Sequence, residues 1–166
     1  MIADNIIHHP DSNILLVKKG IIAHGVNCSG AFNSGLAKQI RSLYPRVYKT
    51  YRRIFESSNN LNNEEKAEIK DMILGEVQHV EINKDLIISN CFTQKYYGRK
   101  KEVQYASVEA LRSCLEELLD KAKYENKEIH LPRICSGLGG LTWIIVEKVI
   151  YDVFMNKDVV VHIHHK

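Results

Sequence analysis

Long apolar runs are missing from this 166-residue chain: no stretch of eighteen consecutive apolar residues occurs, so the sequence offers no candidate membrane-spanning helix. Internal repeats, low-complexity tracts and a domain linker are absent too. The start, Met1-Ile2-Ala3-Asp4-Asn5, lacks the basic and apolar regions of a secretory signal, and a cytoplasmic protein is expected. Cys28, Cys91, Cys114 and Cys135 show no CxxC spacing and no adjacent histidine ligand, which argues against zinc and for four reduced thiols. Strong charge of one sign is also lacking: a net +3 is too small to demand a polyanionic partner. The remaining composition, 45% hydrophobic and 26% charged, is ordinary for a globular protein, and residues 1–166 are expected to form a single domain around one core.

What charge there is falls unevenly. Arg41, Arg46, Lys49, Arg52 and Arg53 occur without an intervening acid, as do Lys95, Arg99, Lys100 and Lys101, whereas Glu56 to Glu76 is acidic. A basic run of this kind reads either as a solvated face or as a device that steers an anionic ligand. The second cluster encloses Tyr96, Tyr97 and Gly98 just past a strand end. No recognised nucleic-acid-binding motif accompanies either cluster, so nucleic acid is not an expected partner.

Two strand, glycine-loop, helix units carry most of the information. In the first, Lys19–Asn27 reads as a strand and a polar, glycine-rich stretch follows it, with Ser34 placed to cap a helix through about Leu43. In the second, Ile129–Ile134 leads into Cys135-Ser136-Gly137-Leu138-Gly139-Gly140 and then a helix from about Trp143. Glycine lets the backbone approach a ligand closely, and the free N–H groups of a helix N-terminus favour an anion. Neither loop matches GxxxxGK[ST] or GxGxxG. Two such loops suggest one diphosphate.

Between and around these units, Asn13–Val17 and Asp158–His164 read as strands, and Gly75–Ile82 with Asp85–Cys91 as a hairpin. Pro45 is placed to begin a helix running to Glu56, Glu64–Met72 reads as a short helix, and an apolar stripe marks Ser107–Lys123 as a longer one. Phe92–Gln104 is expected to be a long loop. Alternating helices and buried strands predict an α/β fold with its ligand site at the carboxyl ends of the strands.

The blocks IIAHGVNCSGAFNSGLAKQIRSLYP, IISNCFTQKYYG and HLPRICSGLGGLTW, in that order, resemble a macrodomain, the ADP-ribose-binding fold. The branch of ADP-ribose 1″-phosphate phosphatases and terminal ADP-ribose glycohydrolases is the most similar, and the likeness spans roughly residues 12 to 166. It implies a three-layer α/β/α sandwich with a central mixed sheet. It also implies ADP-ribose or ADP-ribose 1″-phosphate as the ligand, with ADP-ribosylated protein as a further partner, and no cofactor or metal. A non-catalytic ADP-ribose-binding module is the alternative to an enzyme.

By the same resemblance, Asn27 would meet the distal ribose; read from the residues alone, it either braces its loop or binds a ligand. Cys28, Ser34, Gly35 and Leu36 in the first loop, and Ser136, Gly137, Leu138 and Gly139 in the second, would contact phosphates. His24 matches a histidine of the phosphatase branch and is the acid/base candidate, against a purely structural reading of a strand histidine. Phe92, Tyr96 and Tyr97 are candidates to stack on adenine or the proximal ribose, with a core position equally open for Phe92. Trp143 is expected to support the second loop by packing.

Two departures qualify the resemblance. Gly139 occupies the position where the glycohydrolases carry an aspartate paired with a lysine. Asn13 matches the position of an adenine-recognising aspartate, for which Asp11 could substitute. Thiol catalysis by Cys28 or Cys135 lacks an activating partner. His162 and His164 share a strand face but need a third ligand to hold a metal.

Overall fold

A computed structural model describes residues 2–166. Six strands form one mixed sheet in the order β1 (Ile6–His9), β6 (Val161–His164), β5 (Ile129–Leu131), β2 (Gly20–Asn27), β4 (Leu86–Gln94) and β3 (Val77–Glu81). All neighbours are parallel except β3, which is antiparallel to β4. The apolar runs of β2 and β4 are nearly continuous because both of their faces are covered. Ile21 and Ile87 join one core with α4 (Val108–Glu125) and α5 (Trp143–Phe154). Ile22 and Ile88 face the other way, into a core with α1 (Gly35–Leu43), α2 (Pro45–Arg53) and the rings of Phe32, Tyr51, Phe55 and Phe92. Each fully buried aliphatic side chain of these two layers stabilises the sandwich by about 1.5–3 kcal/mol.

The expected three-layer α/β/α architecture is what forms. Pro45 occupies the first turn of α2, and Ser107 caps α4 by accepting from the N–H of Ala110. The helix α3 (Asn63–Ile73) starts from a capping box in which Asn62 and Glu65 accept each other's backbone N–H. Among the described residues, no helix is long and apolar enough to cross a membrane.

Two local expectations are corrected. Asn13–Val17 is not a strand: the Asn13 side chain accepts from the N–H of Leu15 and caps a 3-10 turn over Ile14–Leu16, of which only Ile14 is buried. A local side-chain bond of this kind competes with strand pairing. The strand is instead Ile6–His9, registered against β6. Phe92 lies inside β4, which runs on to Gln94 before the loop begins.

Register also explains an unusual layer. Ile22 pairs with His130, His130 with His162, and His164 with His9, so four imidazoles share the sheet face that carries the α1 and α2 core. Their ring centroids stand 4.5 to 6.5 Å apart in a stacked and tilted group. The nitrogens are spent in pairs, His9 Nε2 with His162 Nδ1 at 2.8 Å and His130 Nδ1 with His164 Nε2 at 2.9 Å. Among the described residues, no group of three or more histidine, cysteine or acidic side chains is arranged to hold a metal ion.

Candidate functional site

The loops that leave the carboxyl ends of β2, β4 and β5 enclose an open cleft of about 280 Å³. One wall is the first glycine loop and the start of α1, from Ala31 to Ala37; the opposite wall is the second loop, from Cys135 to Gly139. Tyr97, Gly98 and Arg99 close a third side. The strand ends meet there because β2 and β4 are parallel and adjacent, the setting in which α/β sheets place ligands.

The backbone of both walls is rich in unspent donors. Gly35, Leu36 and Ala37 form the first turn of α1, where N–H groups have no intrahelical partner. Gly35 has φ +58, and a Cβ built on it would meet nothing within 4 Å, so glycine is required there by conformation while the space above it is open. Across the cleft, the N–H groups of Gly137, Leu138 and Gly139 likewise make no backbone hydrogen bond, although Gly139 accepts through its carbonyl from Tyr105 and Ala106. Ser34 stands at the N-cap of α1 with no side-chain bond to the helix.

The first loop is held from below by Asn27 and Tyr51. Asn27 Oδ1 accepts from the N–H of Ser29 at 3.0 Å and of Ala31 at 3.2 Å, while its Nδ2 donates to the Ala31 carbonyl at 2.8 Å. Tyr51 Oη lies 2.8 Å from the Asn27 carbonyl and 2.9 Å from Oδ1, and it accepts from the N–H of Gly30 at 3.1 Å. Burial pushes the Tyr51 hydroxyl well above its ordinary pKa, so it stays protonated and can serve as both donor and acceptor. Of the two readings of Asn27, the structure supplies the brace directly: its acceptor is fully used, and one Nδ2–H remains beside the cleft.

His24 lies on the cleft floor, 2% exposed, with Nε2 2.7 Å from Asn90 Oδ1 and its ring edge-on to Phe32. Asn90 Nδ2 donates to Gln78 Oε1 at 2.9 Å, which identifies its Oδ1 as acceptor and His24 Nε2 as the donor. His24 Nδ1 therefore carries the lone pair. Burial lowers the imidazole pKa from 6.5 to about 4, outweighing the bond to Asn90, so the ring is neutral at pH 7. It can accept a proton or a hydrogen bond there but has none to give as an acid.

Among the described residues, only two buried side-chain polar atoms lack a protein partner, His24 Nδ1 and Thr93 Oγ1. Both belong to residues that line the cleft. The register between β2 and β4 slips at this point, Val26 opposite Phe92 but Asn27 opposite Gln94, leaving Thr93 as an extra residue. Its hydroxyl lies under Gly25, where a Cβ would come within 2.8 Å of it. Bulges of this sort re-aim side chains at functional sites.

Of the residues read from the sequence, the cleft gathers His24, Asn27, Ser34, Gly35, Leu36, Gly137, Leu138, Gly139 and Tyr97. Five others are placed elsewhere. Tyr96 is exposed outside the cleft, with Lys70 Nζ 5.8 Å from the centre of its ring. Asn13 caps its 3-10 turn; Cys28 is buried, its N–H tied to the Gln94 and Lys95 carbonyls; Phe92 stacks on Tyr51 in the core; and Ser136 gives its N–H to the Arg133 carbonyl. Burial pushes the thiols of Cys28 and Cys135 up to about 12, which leaves neither as a thiolate at neutral pH.

Sequence reasoning missed Thr93, Gln94 and Arg133. Arg133 stands two residues before Cys135, where the second glycine loop begins, and lines the cleft, its guanidinium carbon 5.0 Å from the centre of the Trp143 ring. Its place between a strand and a glycine loop was the available signal. With Arg99 it gives the cleft two cations, and among the described residues no carboxylate lines it.

Residues 23–150 match the Macro domain family. A relative from Debaryomyces hansenii named ADP-ribose 1″-phosphate phosphatase is 24% identical over 176 residues, covering 96% of this chain and 95% of the relative. A macrodomain protein from Streptomyces coelicolor is similar in structure, with a TM-score of 0.74 at 24% identity over 97% of this chain and 99% of that one. Thermosipho africanus DarTG in complex with ADP-ribose gives a TM-score of 0.66 at 18% identity, over 88% of this chain and 38% of that chain.

Proposed function

This chain belongs to the macrodomain family, and from that premise we propose that its cleft binds ADP-ribose and hydrolyses the phosphomonoester of ADP-ribose 1″-phosphate. The observation that carries the reading is the content of the cleft: facing sets of free N–H groups, Arg99 and Arg133, and, among the described residues, no carboxylate. Such a lining repays the desolvation of phosphates and repels nothing in them. The name of the Debaryomyces relative and the ADP-ribose held by Thermosipho DarTG point the same way.

In the proposed reaction a water oxygen attacks phosphorus, the bond from phosphorus to the 1″-oxygen breaks, and ADP-ribose and inorganic phosphate leave. His24 Nδ1 accepts the water's hydrogen bond and then its proton, which it returns to solvent, while the departing 1″-oxygen takes up one proton from solvent. A base of low pKa suffices because phosphoryl transfer draws most of its acceleration from positioning and charge stabilisation. Loop donors and the two arginines supply that stabilisation.

Gly139 favours this reaction over the covalent lysine route of the glycohydrolases. A Cβ at Gly139 would lie 2.7 Å from the Cys135 carbonyl oxygen and 3.0 Å from Cys135 Cα, so no aspartate enters without moving the loop. The second reading, a binding module without turnover, draws on the low basicity of His24. Single-turnover phosphate release from ADP-ribose 1″-phosphate, run beside calorimetry with ADP-ribose, separates the two: release supports the phosphatase, and binding without release the module.

A further inference from the structure

Among the described residues, Arg133 is the one cleft arginine whose side chain is anchored by a hydrogen bond, and the anchor lies outside the cleft. Its Nε donates to His165 Nδ1 at 3.0 Å; His165 Nε2 is 2.8 Å from His8 Nδ1; and His8 Nε2 is 2.8 Å from Tyr151 Oη. A guanidinium N–H can only donate. His165 Nδ1 must therefore be the lone-pair nitrogen, its Nε2 must carry the proton, and that proton must go to His8 Nδ1. His8 Nε2–H then donates to the tyrosine hydroxyl. One guanidinium fixes the tautomer of two histidines.

The chain joins parts of the protein that are distant in sequence: β1, the loop after β5, α5 and the residue following β6. Trp143 completes the setting, with Arg133 over its face and His165 edge-on to it at 5.4 Å. Burial, and next the charge of Arg133, hold the His165 imidazole below its ordinary pKa, which keeps it in the neutral form the chain needs.

We infer that His165, backed by His8 and Tyr151, is a positioning residue that presents the Arg133 guanidinium to the anionic part of the ligand. The inference rests on the reading of the cleft as a phosphate-ligand site. An exposed arginine otherwise loses rotamer freedom on binding, a cost equivalent to about 2- to 12-fold in affinity for one long side chain. The His165 anchor removes much of that loss in advance and leaves the terminal guanidinium nitrogens for the ligand.

The test uses the full chain and ADP-ribose as the calorimetric probe. His165→Ala should weaken binding by about 2- to 12-fold, whereas His165→Asn, which can keep an acceptor for Arg133 Nε, should restore most of the affinity. In an Arg133→Ala background, His165→Ala should cost nothing further, an outcome that a merely structural role would not produce. Nitrogen NMR of the histidine rings should show His165 protonated on Nε2 and bare on Nδ1, with that preference weakened by Arg133→Ala. Wild-type binding with His165→Ala unchanged, or an equal loss from His165→Ala in the Arg133→Ala background, would overturn the inference. A wild-type protein that does not bind ADP-ribose would instead refute the function proposed for the cleft.

Discussion

Acid should unfold this protein partly through His24, and the size of the effect follows from its burial. The folded imidazole has a pKa of about 4 against 6.5 for the exposed group. The fold thus prefers the neutral ring, and the unfolded chain binds the extra proton. Stability from this group is fully present above pH 6.5, declines as pH falls toward 4, and loses nothing more below that. Between pH 7.5 and pH 5 the loss works out at about 2 kcal/mol, from a limit of about 3 kcal/mol for the whole interval. His24→Gln keeps a donor for Asn90 Oδ1 and removes the titration. Urea unfolding of both proteins at the two pH values isolates His24, because His130 and His164, lowered to about 3 and about 4, contribute equally to each. The wild type should lose about 2 kcal/mol more than the variant on acidification. Equal losses would show that the His24 ring is not buried neutral, and the proton-acceptor role assigned to Nδ1 would fall with it.

Other perturbations reach the cleft by different routes. Asn27→Ala leaves the N–H groups of Ser29 and Ala31 without their acceptor, and thermal melting and ADP-ribose titration should both show losses of about 1 to 3 kcal/mol; unchanged affinity with an intact fold would confine Asn27 to bracing. Gly139→Ala should disrupt the second loop, because its Cβ meets backbone at 2.7 Å, and ADP-ribose affinity should drop with little change in the far-UV spectrum. His24→Ala should slow single-turnover phosphate release by about 10²-fold, the low end for general-base catalysis, with affinity within a few-fold. Phosphate release should persist in EDTA; activity abolished by the chelator and restored by zinc or magnesium would transfer the electrophilic role to an ion.

The glycine loops were legible because apolar strands end abruptly at polar, glycine-rich runs, and that contrast is local in sequence. The helices starting at Pro45 and Ser107 were legible for the same reason, through their first turns. The edge strand Ile6–His9 was not, since four residues with two histidines show no alternation, and the pairing with β6 that makes them a strand lies some 150 residues away. Phe92 reads as the start of a loop because polar Thr93 and Gln94 follow it, yet tertiary burial of Phe92 and Thr93 carries the strand on to Gln94. The site followed the same division. His24, Gly35 and Gly139 stand in the loops' own sequence, while Thr93 enters through a register slip and Arg133 acquires its orientation from a histidine 32 residues downstream.

Incubating the protein in excess over ADP-ribose 1″-phosphate, in EDTA, and following inorganic phosphate and ADP-ribose together decides between turnover and binding alone. One phosphate and one ADP-ribose should appear per substrate consumed, with release slowed by His24→Ala. Intact substrate after full occupancy of the cleft would contradict the phosphatase and leave an ADP-ribose-binding module.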